Sequence, residues 1–140
     1  MEKRKLVSPY DVVPIITKYA KFRQEHFGII CLDSERKVIS EKCLFIGSEH
    51  KSLVDTKMLF WYALSKKASA LIVYHNHPSG SDIPSDYDVE TTRKLNEACK
   101  IVGVLLLDHV IITKYSYFSF LEHDLVLGKN EDKESKVAEA

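Results

Sequence analysis

The chain has no run of about 18 apolar residues, the length a membrane-crossing helix needs, so a helical span is excluded. It has three cysteines among 140 residues, Cys31, Cys43 and Cys99, with no C-x-x-C pair. An odd number at wide spacing argues against a disulfide framework and against a cysteine-built structural zinc site. All three are read as small buried apolar residues. An excess of one charge sign is also missing: Lys and Arg total 20, Asp and Glu total 20. A balanced chain exerts no strong pull on a phosphate backbone, and Lys3-Arg4-Lys5 reads as a solvated terminus. There is no G-x-x-x-x-G-K-[ST] loop to cradle a nucleotide and no H-E-x-x-H helix. The H-x-E and P-C-x-x-C elements of a zinc deaminase are absent too. No repeat recurs at a solenoid period. The opening MEKRKLVSPYDVV lacks an apolar core and a small-residue cleavage site. It is not a secretory leader, and a cytoplasmic location is expected.

What is present suits one globular domain. Hydrophobic residues make up 45% and charged residues 29%, and this length buries roughly two thirds of the unfolded surface without staples. The domain is expected over residues 1–128. The tail 129–140, KNEDKESKVAEA, is highly charged and free of aromatics, and is expected to be disordered. Ser8-Pro9 marks a helix start, with the helix expected to run to about Arg23 and to bend at Pro14. Glu25–Leu32 and Lys37–Ile46 alternate as two strands of a hairpin around Asp33–Arg36, and a loop follows from Gly47 to Lys51. Val54, Met58, Trp61 and Ser65, with Leu59 and Ala63, recur at helical spacing. They place a second helix over Leu53–Lys66 with Met58 and Trp61 in the core. Ala70–Tyr74 is a continuous apolar run, a strand buried on both faces. Pro78-Ser79-Gly80 and Ile83-Pro84 then force a loop. A third helix starts at Ser85, buries Thr91, Leu95, Ala98 and Val102, and stops at Gly103. Val104–Ile112 and Tyr117–Phe120 complete a set of strands. This order predicts an α/β fold, a mixed β-sheet packed between helices.

The chemistry-bearing pattern is His75-Asn76-His77. Side chains alternate along a strand, so residues two apart share a face and two imidazoles at a strand's end can grip one ion. With six histidines in the chain, some H-x-H arises by chance about one time in four. The continuation to Ser85 and Asp88 lowers that to about two in a thousand. The strand would deliver two histidines, the Pro/Gly loop would turn the chain back, and the next helix would present Asp88 from its first turn. Two imidazoles and one carboxylate are a common ligand set for Zn²⁺, with a fourth position left for water. Ser85-x-x-Asp88 is also a capping box, and the two roles can coexist. Asp88 on the apolar stripe would need a cation or several donors. Asn76, pointing away from the metal, is expected to fix the loop.

The run His75-Asn76-His77-Pro78-Ser79-Gly80 followed by Pro84-Ser85-x-x-Asp88 resembles the RadC group of the JAB/MPN (JAMM) zinc metalloprotease superfamily. Glu25-His26-Phe27, Leu107-Asp108-His109-Val110-Ile111-Ile112 and Tyr117-Phe118-Ser119-Phe120 resemble further segments of that group. The likeness covers roughly Ser8 to Gly128. It implies the JAB/MPN, cytidine-deaminase-like architecture. It also implies zinc held by His75, His77 and Asp88, with Glu25 as catalytic acid/base and Ser85 supporting the tetrahedral intermediate. Without it, Glu25 reads as a surface charge at a strand start, and His109 as a hydrogen-bonded core histidine. Longer RadC-like proteins carry a helix-hairpin-helix module before this domain, and too few residues precede Glu25 to hold one here. Lys57 stands where the group often has Arg, and the two bind planar anions differently.

Three functions follow as expectations. The first is a zinc metallohydrolase acting on a peptide or isopeptide bond, its peptide or protein substrate unnamed. The second is a DNA-repair-associated or nucleic-acid-associated protein without peptidase activity, disfavoured by the charge balance. The third is a non-catalytic scaffold, disfavoured by the full set of ligand types. No membrane partner is expected.

Overall fold

The computed structural model describes residues 4–47 and 54–128. The tail after Gly128, Lys3, residues 48–51 of the expected loop and the expected helix start at Leu53 lie outside them. Five strands form one mixed sheet in the order β2-β1-β3-β4-β5. They are β1 (Glu25–Leu32), β2 (Val38–Gly47), β3 (Ala70–Asn76), β4 (Leu105–Ile112) and β5 (Tyr117–Ser119). β1 and β2 are the expected antiparallel hairpin. β1 also runs antiparallel to β3, with Phe27 opposite His75, and β3 runs parallel to β4, with His75 opposite Ile111. The central position of β3 explains its unbroken apolar run, since both faces are covered.

The faces sort by parity. Leu71 and Val73 of β3 join Phe27, Ile29, Leu59, Ala63, Leu95, Cys99 and Phe120 in one core. Ala70, Ile72 and Tyr74 join Leu6, Val12, Ile16, Tyr19, Ile30 and Val110 in the other. The first core lies under α2 (Thr56–Ser65) and α3 (Asp86–Val102), the second under the N-terminal segment. The architecture is therefore α/β, a mixed sheet between helical layers. No helix of the described residues is long and apolar enough to cross a membrane.

Three sequence expectations need correction. The N-terminal segment is not one helix to Arg23. It is a 3-10 turn (Pro9–Val12), a single α-helical turn α1 (Val13–Ile16) and a second 3-10 turn (Thr17–Tyr19). Pro14 has no N–H to bond back to Tyr10, and its ring crowds that carbonyl, so the chain tightens on either side instead of continuing. In α2 the buried residues are Leu59, Phe60, Tyr62 and Ala63, whereas Trp61 is 67% and Met58 47% exposed. Apolar residues on both faces of α2 left its periodicity open to either reading. In α3 the buried stripe is Asp88, Thr92, Leu95, Asn96 and Cys99. Thr91 and Ala98 are only half-buried, and Val102 is exposed. The expected stripe was displaced by one residue because steps of three and of four from Asp88 both stay on one helix face. Cys31 and Cys99 are buried, as read, and Cys43 is half-buried.

Candidate metal centre

The end of β3 and the start of α3 build the site. His75 shares its parity with Leu71 and Val73, so its ring lies on the α3 side of the sheet, 2% exposed and stacked on Phe27 with ring centroids 5.8 Å apart. His77 follows two residues on, just past the strand. Ser85 caps α3: its Oγ accepts the Asp88 amide at 3.0 Å, and its own amide donates to Asp88 Oδ2 at 2.9 Å. The capping box holds the Asp88 carboxyl against the two imidazoles. His75 Nε2 lies 2.9 Å from His77 Nε2 and 3.2 Å from Asp88 Oδ1, and His77 Nε2 lies 3.0 Å from Asp88 Oδ2. The capping and site readings of Ser85-x-x-Asp88 thus share one geometry, with one carboxylate serving both.

These contacts have a chemical consequence. His77 Nδ1 is 2.8 Å from the Ser81 carbonyl, which can only accept, so Nδ1 carries the ring proton. The Nε2 of neutral His77 is then a bare lone pair aimed at a carboxylate oxygen and at a second imidazole nitrogen. Such a cluster of acceptors calls for a cation. Without a metal ion, the same contacts favour the charged forms of both partners. Burial alone would raise the Asp88 carboxyl, but His75, His77 and the Ser85 amide outweigh it and hold the group far below the usual carboxylate range. Burial alone would lower His77, but Asp88, the Ser81 carbonyl and Glu25 raise it above its ordinary value.

Glu25, at the first position of β1, is half-buried, and one of its carboxylate oxygens lies within 4.8 Å of one ring nitrogen of His75 and one of His77. Glu25, His75 and His77 are a group that could hold a metal ion. The donor set suits zinc, since two imidazole nitrogens and carboxylate oxygen are its usual nitrogen and oxygen ligands. In a tetrahedral zinc site neighbouring ligand atoms stand about 3.3 Å apart. The separations among His75, His77 and Asp88, 2.9 to 3.2 Å, need only a few tenths of an ångström to open to that value.

The sequence model of a family described as "RadC-like JAB domain" matches residues 6–125. The chain belongs to the RadC-like JAB domain family. Its likeness to curated proteins is of the same kind. A UPF0758 protein of Streptococcus equi subsp. equi (strain 4047) is 45% identical over 100 residues, 71% of this chain and 44% of that protein. A UPF0758 protein of Streptococcus equi subsp. zooepidemicus (strain MGCS10565) is 44% identical over the same shares of the two chains. One of Streptococcus pyogenes serotype M49 (strain NZ131) is 40% identical, again over 71% of this chain and 44% of the relative. The chain spans less than half the length of these relatives, and their names say nothing of an activity.

In this RadC-like domain the structure brings together every residue singled out for the site: Glu25, His75, His77, Ser85 and Asp88. Lys57 is exposed in the first turn of α2, where its amide donates to the Asp55 cap at 3.0 Å. Asn76 does point away from the imidazoles, but it does not fix the loop after β3. Its Oδ1 accepts the His26 amide at 2.6 Å, and its Nδ2 donates to the carbonyls of Phe22 and Gln24 at 3.2 and 3.0 Å. It therefore clamps the backbone on both sides of Glu25. The strand pairing that places β1 beside β3 carries this role, and H-N-H alone does not reveal it. His109 is the hydrogen-bonded core histidine expected, fully buried, with ring nitrogens on His75 Nδ1 and Thr92 Oγ1. Thr92 was passed over, because nothing in its local spacing marks it.

Proposed function

We propose that this domain is a zinc-dependent metallohydrolase that cleaves a peptide or isopeptide bond. His75, His77 and Asp88 are the metal ligands in this reading, Glu25 the acid/base and Ser85 a donor to the developing oxyanion. The observation that carries it is the convergence of two imidazole Nε2 atoms and one carboxylate within 3.2 Å, with a second carboxylate alongside.

A bound zinc ion would supply Lewis acidity, lowering the pKa of a water and polarising a carbonyl. The chain's own residues do the rest. The Glu25 carboxylate, held at the mouth of β1 by the Asn76 clamp, takes a proton from the attacking water and returns it to the leaving amine. The Ser85 oxygen accepts the Asp88 amide, which leaves its own hydroxyl proton to donate to the substrate oxygen. Asp88 keeps its negative charge throughout, because the same groups that position it favour its ionised form.

Two measurements test the reading. Metal analysis of purified protein should find about one zinc per chain in wild type and in Glu25→Gln, and little in Asp88→Ala. Equal zinc in wild type and Asp88→Ala would reject the ligand set. Hydrolysis of a library of peptide and isopeptide-linked substrates should fall about 100-fold or more in Glu25→Gln. A variant as active as wild type would remove Glu25 from the chemistry.

A further inference from the structure

We propose that Thr92 and His109 are positioning residues for the metal centre: a buried hydrogen-bond relay from the Asp88 backbone through Thr92 and His109 fixes the His75 ring with its Nε2 lone pair turned to the ion. The inference rests on the metal-centre reading above and extends it to two residues that touch neither metal nor substrate.

Elimination sets the direction of the relay. The Asp88 main-chain carbonyl can only accept. Thr92 Oγ1 lies 2.7 Å from it and gives it the single hydroxyl proton. The second contact of Thr92 Oγ1, His109 Nδ1 at 2.6 Å, must then be the donor. A neutral imidazole carries one N–H, so His109 Nε2 is bare and accepts. It faces His75 Nδ1 at 2.8 Å. The proton of the His75 ring therefore sits on Nδ1, and its Nε2 is left bare, 2.9 Å from His77 Nε2 and 3.2 Å from Asp88 Oδ1. The reverse direction would leave two oxygens 2.7 Å apart with no proton between them, at full desolvation cost.

The surroundings suit a fixed part rather than a substrate contact. His109 is fully buried. Phe120 stacks on its ring at 4.6 Å with planes 6° apart, and Phe27 meets it edge-on at 5.7 Å. Thr92 is fully buried as well. The relay starts on one ligand residue in α3, crosses β4 and ends on another in β3, so it braces two ligands from different elements. His77 reaches the same tautomer separately, through the Ser81 carbonyl. A histidine ligand ordinarily gives its second N–H to a carboxylate, a carbonyl or water. Here the acceptor is another imidazole, which accepts only while Thr92 holds its far nitrogen as the donor.

The test uses the whole chain. In metal-free, ¹⁵N-labelled wild type at about pH 9, above the imidazole range, long-range ¹H–¹⁵N correlation should find the proton of both His75 and His109 on Nδ1. Zinc affinity, measured by competition with a chromophoric chelator, should fall about 10-fold in Thr92→Val and stay within about two-fold of wild type in Thr92→Ser, which keeps the hydroxyl. A His75 proton on Nε2, or a folded Thr92→Val that binds zinc as tightly as wild type, would overturn the relay and leave the metal reading standing. Should Thr92→Val not fold, the wild-type tautomers decide. Wild type that takes up no zinc would overturn the metal reading itself, and this inference with it.

Discussion

Asp108 pays a desolvation cost that its neighbours offset only in part. Its Oδ1 accepts the amides of His109 and Leu121 at 2.7 and 3.0 Å, and its Oδ2 accepts the Ser119 hydroxyl at 2.6 Å. Burial nevertheless pushes the carboxyl up to about 6 from an ordinary 3.8. Folding therefore favours the protonated form, and between about pH 4 and pH 6 the native chain holds more of this proton than the unfolded one. The contribution of this one carboxyl to stability falls as pH rises through that window, by about 3 kcal/mol at full extent, and stays constant above it. Asp108→Asn should remove most of this slope and be the more stable protein at about pH 7.5, as read by urea unfolding. Asp108→Ala should lose about 2 kcal/mol or more at any pH, since it strands two amides and a hydroxyl. A wild-type slope retained in Asp108→Asn would show that another group titrates. The same residue scale shows what local sequence can reveal. His75, His77 and Asp88 were legible because strand parity and the capping box are local rules. The contact between Thr92 and His109 spans 17 positions of chain and the packing of α3 on β4, so no spacing rule finds it.

At the scale of elements, the hairpin, the buried β3 and the capped start of α3 were all legible from alternation, apolar runs and capping chemistry. The segment around Pro14 and the facing of α2 were not. In the first, one missing N–H outweighs a helical pattern. In the second, Met58 and Trp61 match the helical period as well as Leu59 and Ala63 do, and only the position of the sheet chooses between them. β1 contains another such tertiary constraint. A Cβ on Gly28 would stand 2.1 Å from Tyr74 Oη, 2.2 Å from the ring carbon bearing it and 2.7 Å from the Lys42 carbonyl. The glycine lets the Tyr74 ring lie flat across β1 and reach Glu41, which accepts its hydroxyl at 2.6 Å and that of Tyr19 at 2.9 Å. Gly28→Ala should cost about 3 kcal/mol in urea unfolding. Adding Tyr74→Phe should not restore the loss, because the clash with the ring carbon and the carbonyl remains. A loss within about 0.5 kcal/mol of zero would mean that the sheet yields more easily than its pairing on both edges implies.

On the scale of the whole molecule, three elements far apart in the chain meet at one end of the sheet. β1 brings Glu25, β3 and the residue just past it bring His75 and His77, and α3 brings Asp88. Nothing covalent ties them, and in the proposed reading a metal ion would join them. A metal that binds the folded chain and not the unfolded one adds the free energy of its binding to stability. Zinc at about a thousand times its dissociation constant would contribute about 4 kcal/mol, which for a domain of this size raises Tm by roughly 10 to 15 °C. A chelator should reverse the shift. If Glu25 is the acid/base of the proposed function and not a ligand, Glu25→Gln should keep it, and Asp88→Ala should lose it. In the metal-free state Asp88→Ala should melt close to or below wild type, because it also gives up half of the capping box on α3. That pattern separates a metal centre from a merely polar cluster: if the two imidazole–carboxylate contacts and the imidazole–imidazole contact were ordinary hydrogen bonds, zinc would leave the melting temperature of wild type where it stands, and Asp88→Ala would differ from it equally with and without the ion.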